Sequence, residues 1–386
     1  MLLTSRRSQV AASLALIAMF GGVSLSLGSR VASPSVPERI SDEAFWRMVT
    51  EFSEPGGFFR SDNFVSNEIT FQWVLPEIAK TTKTGGVYMG VGPDQNFTYI
   101  VAMQPKIAFI VDIRRQNMLH HLLYKALIEM SADRAEFLSR LFSRPRPAGL
   151  DADAPSPELF QAFASSVSDS ALFVRNMAAV KDQLITKHKF SLTSDDLRTI
   201  EYVYTAFYQA GPDLTYSFTM PGRGSSMMFY GRRMPTYAEL MMESDGTGSQ
   251  RSYLANEANY RVLRDLERNN LIVPLVGDFA GDKAIKSVGQ YVKEHGGTIT
   301  AFYTSNVEQY LFQSDDWKKF FTNVGTLPLD ASSTFIRAVF NFNTPPMQTG
   351  TPGPRSRTML ASIAEQVQAF TDGKLVTYWD VIQTSR

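Results

Sequence analysis

Three apolar runs, each followed by a stretch with helical periodicity, constrain the fold of this chain more than any other feature. The runs cover residues 87–91, 106–112 and 271–278, and the last two end in an aspartate. A run that is apolar at nearly every position is typical of a strand in a parallel sheet, which helices cover on both faces. Alternation of strand and helix then implies right-handed crossovers. The sequence therefore predicts an α/β fold with a doubly wound, mainly parallel sheet.

Periodicity and turn signals assign the rest of the predicted α/β domain, which we place at residues 85–386. Residues 143–212 interrupt the alternation with mainly helical periodicity and form a predicted helical insertion, while residues 31–84 hold a Pro/Ser-rich linker and short helices. The other predicted helices are 42–52, 70–80, 94–104, 116–142, 253–269, 282–295 and 358–370, and the other predicted strands are 214–218, 298–303 and 333–342.

The N-terminal residues 1–30 differ from the rest of the chain. Arg6 and Arg7 precede an uncharged run over residues 8–29, which is apolar at its centre and has small residues near its end. This pattern is typical of a bacterial export signal peptide. An uncleaved membrane anchor and a buried N-terminal helix are the alternatives. We therefore expect an exported protein, periplasmic or membrane-anchored and facing the periplasm, that touches the membrane only through this segment.

Composition excludes several classes of chemistry. None of the 386 residues is a cysteine, so the chain has no disulfide, thiolate metal site, iron–sulfur cluster or cysteine nucleophile. His120 and His121 are adjacent on a predicted helix, where their side chains point about 100° apart and cannot share a metal. We predict no metal site. The 38 basic and 38 acidic residues balance, which gives no electrostatic reason to bind nucleic acid.

The strongest local signal for a ligand is the turn after the first strand. Residues 90–95 read Gly-Val-Gly-Pro-Asp-Gln between a predicted strand and a predicted helix. Gly90 and Gly92 let the backbone turn tightly and approach a ligand, and Pro93 suits the first position of a helix, so that free N–H groups face outward. Such a turn suits an anionic group of a ligand. The alternative is that it is only a turn.

Asp112 ends the second predicted strand, 22 residues after Gly90. In this topology an acid about 20 residues beyond the glycine turn accepts hydrogen bonds from the hydroxyls of a ribose. Alternatively, Asp112 pairs with Arg114 or Arg115, or caps the helix that follows. Together, the turn and this acid favour a nucleoside ligand.

Two further polar residues follow predicted strands at the same edge of the sheet. Asp278 ends one strand, and Asn306 follows the next. Because ligands of open α/β sheets bind at the carboxyl ends of the strands, Asp278 is a candidate base or ligand contact and Asn306 a candidate to face the same crevice. Alternatively, Asp278 is an ordinary turn residue. Ser305 and Glu308 have the spacing of a helix capping box.

With these motifs the chain resembles the class I S-adenosylmethionine-dependent methyltransferases, which have a Rossmann-like fold. The resemblance implies that the glycine turn holds the methionine part of the cofactor, that Asp112 binds its ribose, and that Asp278 faces its methyl group. The predicted cofactor-binding residues are Gly90, Gly92, Asp94, Gln95, Asp112 and Asp278, and the candidates for catalysis are Asp278 and Asn306. The chain departs from the family at Tyr88, where an acid is usual, and at Asp94, where a third glycine is usual.

The chain is also similar to a narrower, uncharacterised group of exported bacterial proteins. The segments that carry this likeness are GVGPDQNFTY (90–99), FIVDIRRQN (109–117), VGDFAGDKA (276–284) and FYTSNVEQYL (302–311). The first functional hypothesis is binding of S-adenosylmethionine or another nucleoside, with methyl transfer if the protein is an enzyme. The second is a non-catalytic envelope protein that binds a ligand or partner through the same crevice or the helical insertion. A nicotinamide-dependent oxidoreductase is disfavoured, because the third fingerprint glycine is absent.

Overall fold

A six-stranded sheet forms the centre of the computed structural model, which describes residues 35–217, 228–229, 232–340 and 356–386. In chain order, the strands are β1 (Val87–Gly90), β2 (Ile107–Asp112), β3 (Met228–Phe229), β4 (Arg232–Arg233), β5 (Ile272–Val276), β6 (Ile299–Ser305), β7 (Thr334–Phe340) and β8 (Ser356–Ser362). The two-residue strands β3 and β4 pair with each other outside the central sheet.

The order across the central sheet is β5-β2-β1-β6-β7-β8. Neighbouring strands are parallel, except that β8 runs antiparallel to β7. This confirms the predicted α/β fold with a mainly parallel sheet. The chain proceeds from β1 to β2 and β5 on one side and then returns to β6 on the other, so the strand order reverses between β1 and β6.

Helices cover both faces of the sheet and form the insertion. In the described part of the chain they are α1 (Asp42–Glu51), α2 (Leu75–Thr81), α3 (Gln95–Met103), α4 (Arg115–Glu129), α5 (Arg134–Phe142), α6 (Ser156–Ala164), α7 (Ser170–Lys181), α8 (Ser194–Ala210), α9 (Tyr237–Met242), α10 (Glu257–Arg268), α11 (Ala284–Glu294), α12 (Val307–Gln313), α13 (Trp317–Val324), α14 (Ile363–Thr371) and α15 (Tyr378–Gln383). A π-helical turn (Asp182–Lys187) extends α7, and a 3-10 turn (Gly211–Asp213) follows α8. The stretch predicted as a helical insertion is thus helical.

Helix α4 lies between the sheet and the insertion. One side of it packs on β2 and β5 and another on α8, so nearly all of its side chains are buried. Strand β2 is buried at all six of its positions, as expected of a parallel strand that is covered on both faces.

The helix predicted over residues 116–142 is wrong as a single element, because the chain forms two helices there. Helix α4 ends at Glu129, and α5 begins at Arg134 after the N-cap residue Asp133, whose carboxylate accepts a hydrogen bond from the Glu136 backbone N–H at 2.7 Å. An aspartate in this position satisfies an N–H group that a continuous helix would bond to its own backbone. Helix α2 likewise begins later than predicted, at Leu75.

Two other predictions near sheet edges are wrong. Of the predicted strand 214–218, residues 214–217 form no strand, and residue 218 lies outside the described residues. Instead, the Phe64 backbone N–H donates to the Tyr216 carbonyl at 2.9 Å. Residues 358–362, predicted as the start of a helix, belong to β8, and α14 begins only at Ile363 after the N-cap residue Ser362. A short apolar run is compatible with either a helix or a strand. Here the run forms a strand because it pairs with β7.

A group of charged side chains with little exposure joins α1 and the insertion to α4. His188, after the π-helical turn, lies with Nδ1 2.9 Å from Asp42 Oδ1 and Nε2 2.6 Å from Glu129 Oε2. Lys125 Nζ lies 2.7 Å from Glu129 Oε1. Burial lowers the pKa of His188, but the hydrogen bond with Glu129 and the nearby Asp42 carboxylate outweigh burial and raise the pKa above its ordinary value. These charges therefore tie three separate parts of the chain together.

The segment before β1 runs across the carboxyl ends of the strands. The Glu54 backbone N–H donates to the Val276 carbonyl and the Gly57 N–H to the Ile113 carbonyl, both at 2.8 Å. The described residues from 35 onward form one compact unit. The predicted export segment, residues 1–30, lies outside the described residues. Among the helices of the described ranges, none is long and apolar enough to cross a membrane.

Candidate functional site

A cavity of about 480 Å³ lies at the carboxyl ends of β1, β2, β5 and β6, and we call it the central cavity. Its wall is completed by the segment 58–68 and by α12. The residues that line it include Glu68, Gly92, Gln95, Asp112, Asp278 and Asn306. The cavity therefore stands where the strand order reverses, between β1 and β6.

Gly92 lines the cavity with a φ of +80°, a backbone conformation that favours glycine. Gly90 is not among the lining residues. A Cβ atom at Gly90 would lie 1.9 Å from Asn96 Oδ1. The Asn96 side chain fills this space and holds the turn, because its Nδ2 donates to the carbonyls of Val91 and Pro93 at 2.9 and 2.7 Å. Gly90 thus makes room for the support of the turn, while Gly92 faces the cavity.

Asp94 and Gln95 are neighbours in sequence but face different surroundings. Gln95 lines the cavity, and its Nε2 donates to the Tyr303 hydroxyl at 3.0 Å, while its Oε1 has no hydrogen-bond partner. Asp94 does not line the cavity, and its carboxylate accepts from the Tyr253 hydroxyl at 3.1 Å. Burial raises the pKa of Asp94 to about 7. Of the two predicted binding residues, only Gln95 can therefore contact a ligand in this cavity.

Asp112 lines the cavity, and it is paired with Arg114. Its Oδ1 accepts from the backbone N–H and from Nε of Arg114 at 2.9 and 3.1 Å, and its Oδ2 accepts from Nη2 at 2.8 Å. Arg114 Nη1 also donates to the Asp62 carbonyl at 2.6 Å. The pairing with Arg114 that the sequence left open is thus present, and it holds Asp112 in the wall of the cavity.

Asp278 and Asn306 both line the cavity. Asp278 is half-buried, and its Oδ1 accepts from the Ala280 backbone N–H at 2.9 Å, as in an ordinary aspartate turn. Asn306 occupies the N-cap position of α12 without a capping side-chain hydrogen bond. Both remain candidates for contact with a ligand.

The capping box predicted for Ser305 and Glu308 is wrong. The Ser305 hydroxyl donates to Glu68 instead, and the Glu308 carboxylate accepts from Arg337 Nε and Nη2 at 2.8 and 2.9 Å. Arg337 and Glu308 are both about 1% exposed, so their ion pair is buried. The Glu308 carboxylate pairs with Arg337 and not with a backbone N–H group, because a buried arginine left without a carboxylate would be an uncompensated charge in the core.

Glu68 is a cavity residue that the sequence did not reveal. It is 1% exposed, its Oε1 accepts from the Ser305 hydroxyl, and its Oε2 has no hydrogen-bond partner. Burial raises the pKa of Glu68 to about 7, although the hydroxyls of Ser305 and Tyr303 act in the opposite direction. Ser305 is 237 positions away in the chain, so no local pattern around Glu68 could have indicated this contact.

The central cavity is acidic. Its lining includes the carboxyl groups of Glu68, Asp112, Asp278 and Asp316, whereas Arg114 is the single basic residue in the described part of the lining. Arg114 is paired with Asp112, and Asp316 is paired with Lys319 at 3.0 Å, so Glu68 and Asp278 are the lining carboxyl groups without an ion pair among the described residues. A ligand with positive charge therefore suits this cavity better than an anion does.

Aromatic side chains line another part of the wall. Phe59 packs edge-to-face against Tyr310 with ring centroids 5.5 Å apart, and Phe58 is 87% exposed. Within the described ranges, no group of three or more His, Asp or Glu side chains is arranged to hold a metal ion.

A family model described as "Domain of unknown function (DUF7790)" matches residues 63–148 and 159–371 of this chain. All the predicted site residues, and Glu68, fall within the matched ranges. No curated protein matches the chain.

Proposed function

The chain belongs to the DUF7790 family, and we propose that its central cavity binds a nucleoside ligand of the S-adenosylmethionine type on a Rossmann-like, methyltransferase-like sheet. One observation carries this proposal. The cavity lies where the strand order reverses, with the Gly92 turn and Asp112 in its wall. Doubly wound sheets bind nucleotides at this position.

The residues of the cavity fit such a ligand in size and charge. A volume of about 480 Å³ is within the usual range of small-molecule sites. The acidic lining suits a sulfonium cation. The Asp112 carboxylate has about four acceptor positions, and its hydrogen bonds from Arg114 use three of them. One position on Oδ2 thus remains for a ribose hydroxyl.

When bound, such a cofactor supplies an activated methyl group, and the contribution of the protein is chiefly positioning. Asp278 and Asn306 follow β5 and β6, on opposite sides of β1 and β2 in the sheet. In this proposal they orient the ligand and a methyl acceptor, and the Gly92 backbone lets the cofactor approach closely.

Calorimetry of the full chain with S-adenosylmethionine and S-adenosylhomocysteine tests this proposal. We expect binding of one ligand per chain, weakened about tenfold in Asp278→Asn, because the variant removes a negative charge from the wall. Asp282→Asn is the matched control, because this aspartate follows in the same loop and its side chain is fully exposed. Absence of heat up to about 1 mM ligand, or equal weakening in both variants, would refute the proposal.

A second candidate is a non-catalytic envelope protein that binds a ligand in the same cavity. It is favoured by the pairing of Asp112 with Arg114 and by the position of Asp94, which faces Tyr253 rather than the cavity. The test supplies a cell extract as the source of methyl acceptors. Binding of S-adenosylhomocysteine, with no methyl transfer from S-adenosylmethionine to the extract, would support this candidate.

We further propose that residues 1–30 direct export of the protein. Arg6, Arg7 and the uncharged run after them support this. Cell fractionation with antibodies against the domain should place the protein in the periplasm or on the periplasmic face of the inner membrane. Recovery of the full-length chain in the cytosol would contradict export.

A further inference from the structure

Two buried acceptor atoms in the wall of the central cavity have no donor within the described part of the chain. They are Oε2 of Glu68 and Oε1 of Gln95, on side chains that are 1% and 4% exposed. Both residues lie near Tyr303, whose hydroxyl accepts from Gln95 Nε2 and lowers the pKa of Glu68. A buried acceptor left without a hydrogen bond costs about 1–3 kcal/mol, so this pair indicates a place for a donor that is not part of the chain.

The neighbouring hydroxyl groups are already used elsewhere. The Ser305 hydroxyl donates to the other oxygen of Glu68. The Tyr88 hydroxyl donates to Asn96 Oδ1 at 2.8 Å, and the Tyr99 hydroxyl donates to the Phe71 carbonyl at 2.9 Å. None of these three hydroxyls can satisfy the two acceptors without giving up its present partner. The Tyr303 hydroxyl has one proton, so it can donate to Glu68 but cannot serve both Glu68 Oε2 and Gln95 Oε1.

Charge points to the same kind of occupant. Among the described residues that line the cavity, Arg114 is the single basic one, and it is held by Asp112 and the Asp62 carbonyl, so none of them is left opposite Glu68. An ammonium group carries three N–H donors and a positive charge, whereas a hydroxyl carries one donor and no charge. An ammonium group therefore has enough donors for both acceptors and a charge that offsets the carboxylate.

We propose that Glu68 and Gln95 form a subsite for the ammonium group of a small primary amine, which makes a primary amine a substrate or ligand class of this cavity. The subsite lies on the β6 side of the Gly92 turn, through Ser305 and Tyr303, whereas Asp112 ends β2 on the other side of β1. The amine therefore binds beside the proposed ribose position. Because S-adenosylmethionine also carries an ammonium group, the test uses separate amine and nucleoside probes.

The test uses the full chain with n-butylammonium chloride as the probe and n-butanol as its neutral counterpart, followed by NMR chemical shifts. We expect the ammonium to bind at least about tenfold more tightly than the alcohol, and Glu68→Gln to abolish this preference. Glu38→Gln is the control, because Glu38 is exposed and is not among the residues that line the cavity. Gln95→Leu is the second variant. It leaves the Glu68 carboxyl group in place but removes the other acceptor, so it should weaken ammonium binding.

Three results would overturn the subsite. They are equal binding of the ammonium and the alcohol, ammonium affinity that is unchanged in both Glu68→Gln and Gln95→Leu, and tighter binding of guanidinium chloride than of butylammonium. Adenosine, which has no aliphatic amine, is titrated in parallel. Failure of adenosine alone counts against the nucleoside proposal, and failure of butylammonium alone counts against the amine subsite.

Discussion

Ionisation of Glu68 should destabilise the folded protein, and Glu68→Gln should remove this effect. The carboxyl group is almost completely buried, and one of its oxygens has no hydrogen-bond partner. The substitution keeps the shape of the side chain and an oxygen that can still accept from the Ser305 hydroxyl. It replaces the other oxygen by an NH2 group and so removes the charge that water would otherwise solvate.

The magnitude follows from the pKa of Glu68, which burial raises from 4.5 to about 7. Each pH unit between the folded and unfolded pKa values corresponds to about 1.36 kcal/mol, so the whole effect is about 3 kcal/mol. Because the folded pKa is the higher one, the stabilising contribution is complete below the unfolded pKa and is lost as the pH rises through about 7. The wild type should therefore lose about 3 kcal/mol relative to the variant between about pH 4 and about pH 9.

Urea denaturation of both proteins at a series of pH values measures this difference in unfolding free energy. Asp94 and Glu267 also have raised pKa values, but they titrate in both proteins and cancel in the comparison. Glu38→Gln controls for replacement of a carboxyl by an amide at an exposed position. If the difference between the wild type and Glu68→Gln is constant across the pH range, then Glu68 is not held in a desolvated site.

Three further changes have defined outcomes. Arg337→Met should lower the unfolding free energy by about 3–5 kcal/mol in urea denaturation, because it leaves Glu308 charged and unpaired in the core; a loss below about 1 kcal/mol would contradict this. Gly90→Ala should cost about 1–3 kcal/mol in the same assay, because the new methyl group displaces the pinned side chain of Asn96. The pKa of His188 is raised, so its contribution to stability is complete below its ordinary pKa and is lost as the pH rises through the folded pKa. The stability advantage of the wild type over His188→Gln should therefore shrink with rising pH, and an advantage that grows would show that the charged form is not favoured in the folded protein.

Strand positions were predictable because burial on both faces imposes a pattern that needs no knowledge of partners. The predicted runs 87–91, 106–112 and 271–278 contain β1, β2 and β5. Parallel strands bring their carboxyl ends to one edge, so residues that follow the strands were expected to meet there. Asp278 and Asn306 do line one cavity.

Side-chain direction within that edge was not predictable. Successive residues of a helix point about 100° apart, so the first turn of α3 sends Gln95 to the cavity and leaves Asp94 facing Tyr253. A capping spacing at Ser305 and Glu308 was overridden because other elements supplied a stronger partner for each side chain.

By itself, the sequence determined the α/β alternation, the helical character of the insertion, the absence of thiol chemistry and the edge of the sheet at which a site can lie. These features follow from composition and from the spacing of apolar residues, which shows which positions of a single helix or strand are buried. Only the tertiary structure decided that Arg114 holds Asp112, that β8 is a strand, and that Glu68 joins the cavity. Each of these depends on a contact between separate elements, and above all Glu68 meets Ser305 across 237 positions of chain. The result is an acidic cavity in a chain whose formal net charge is zero.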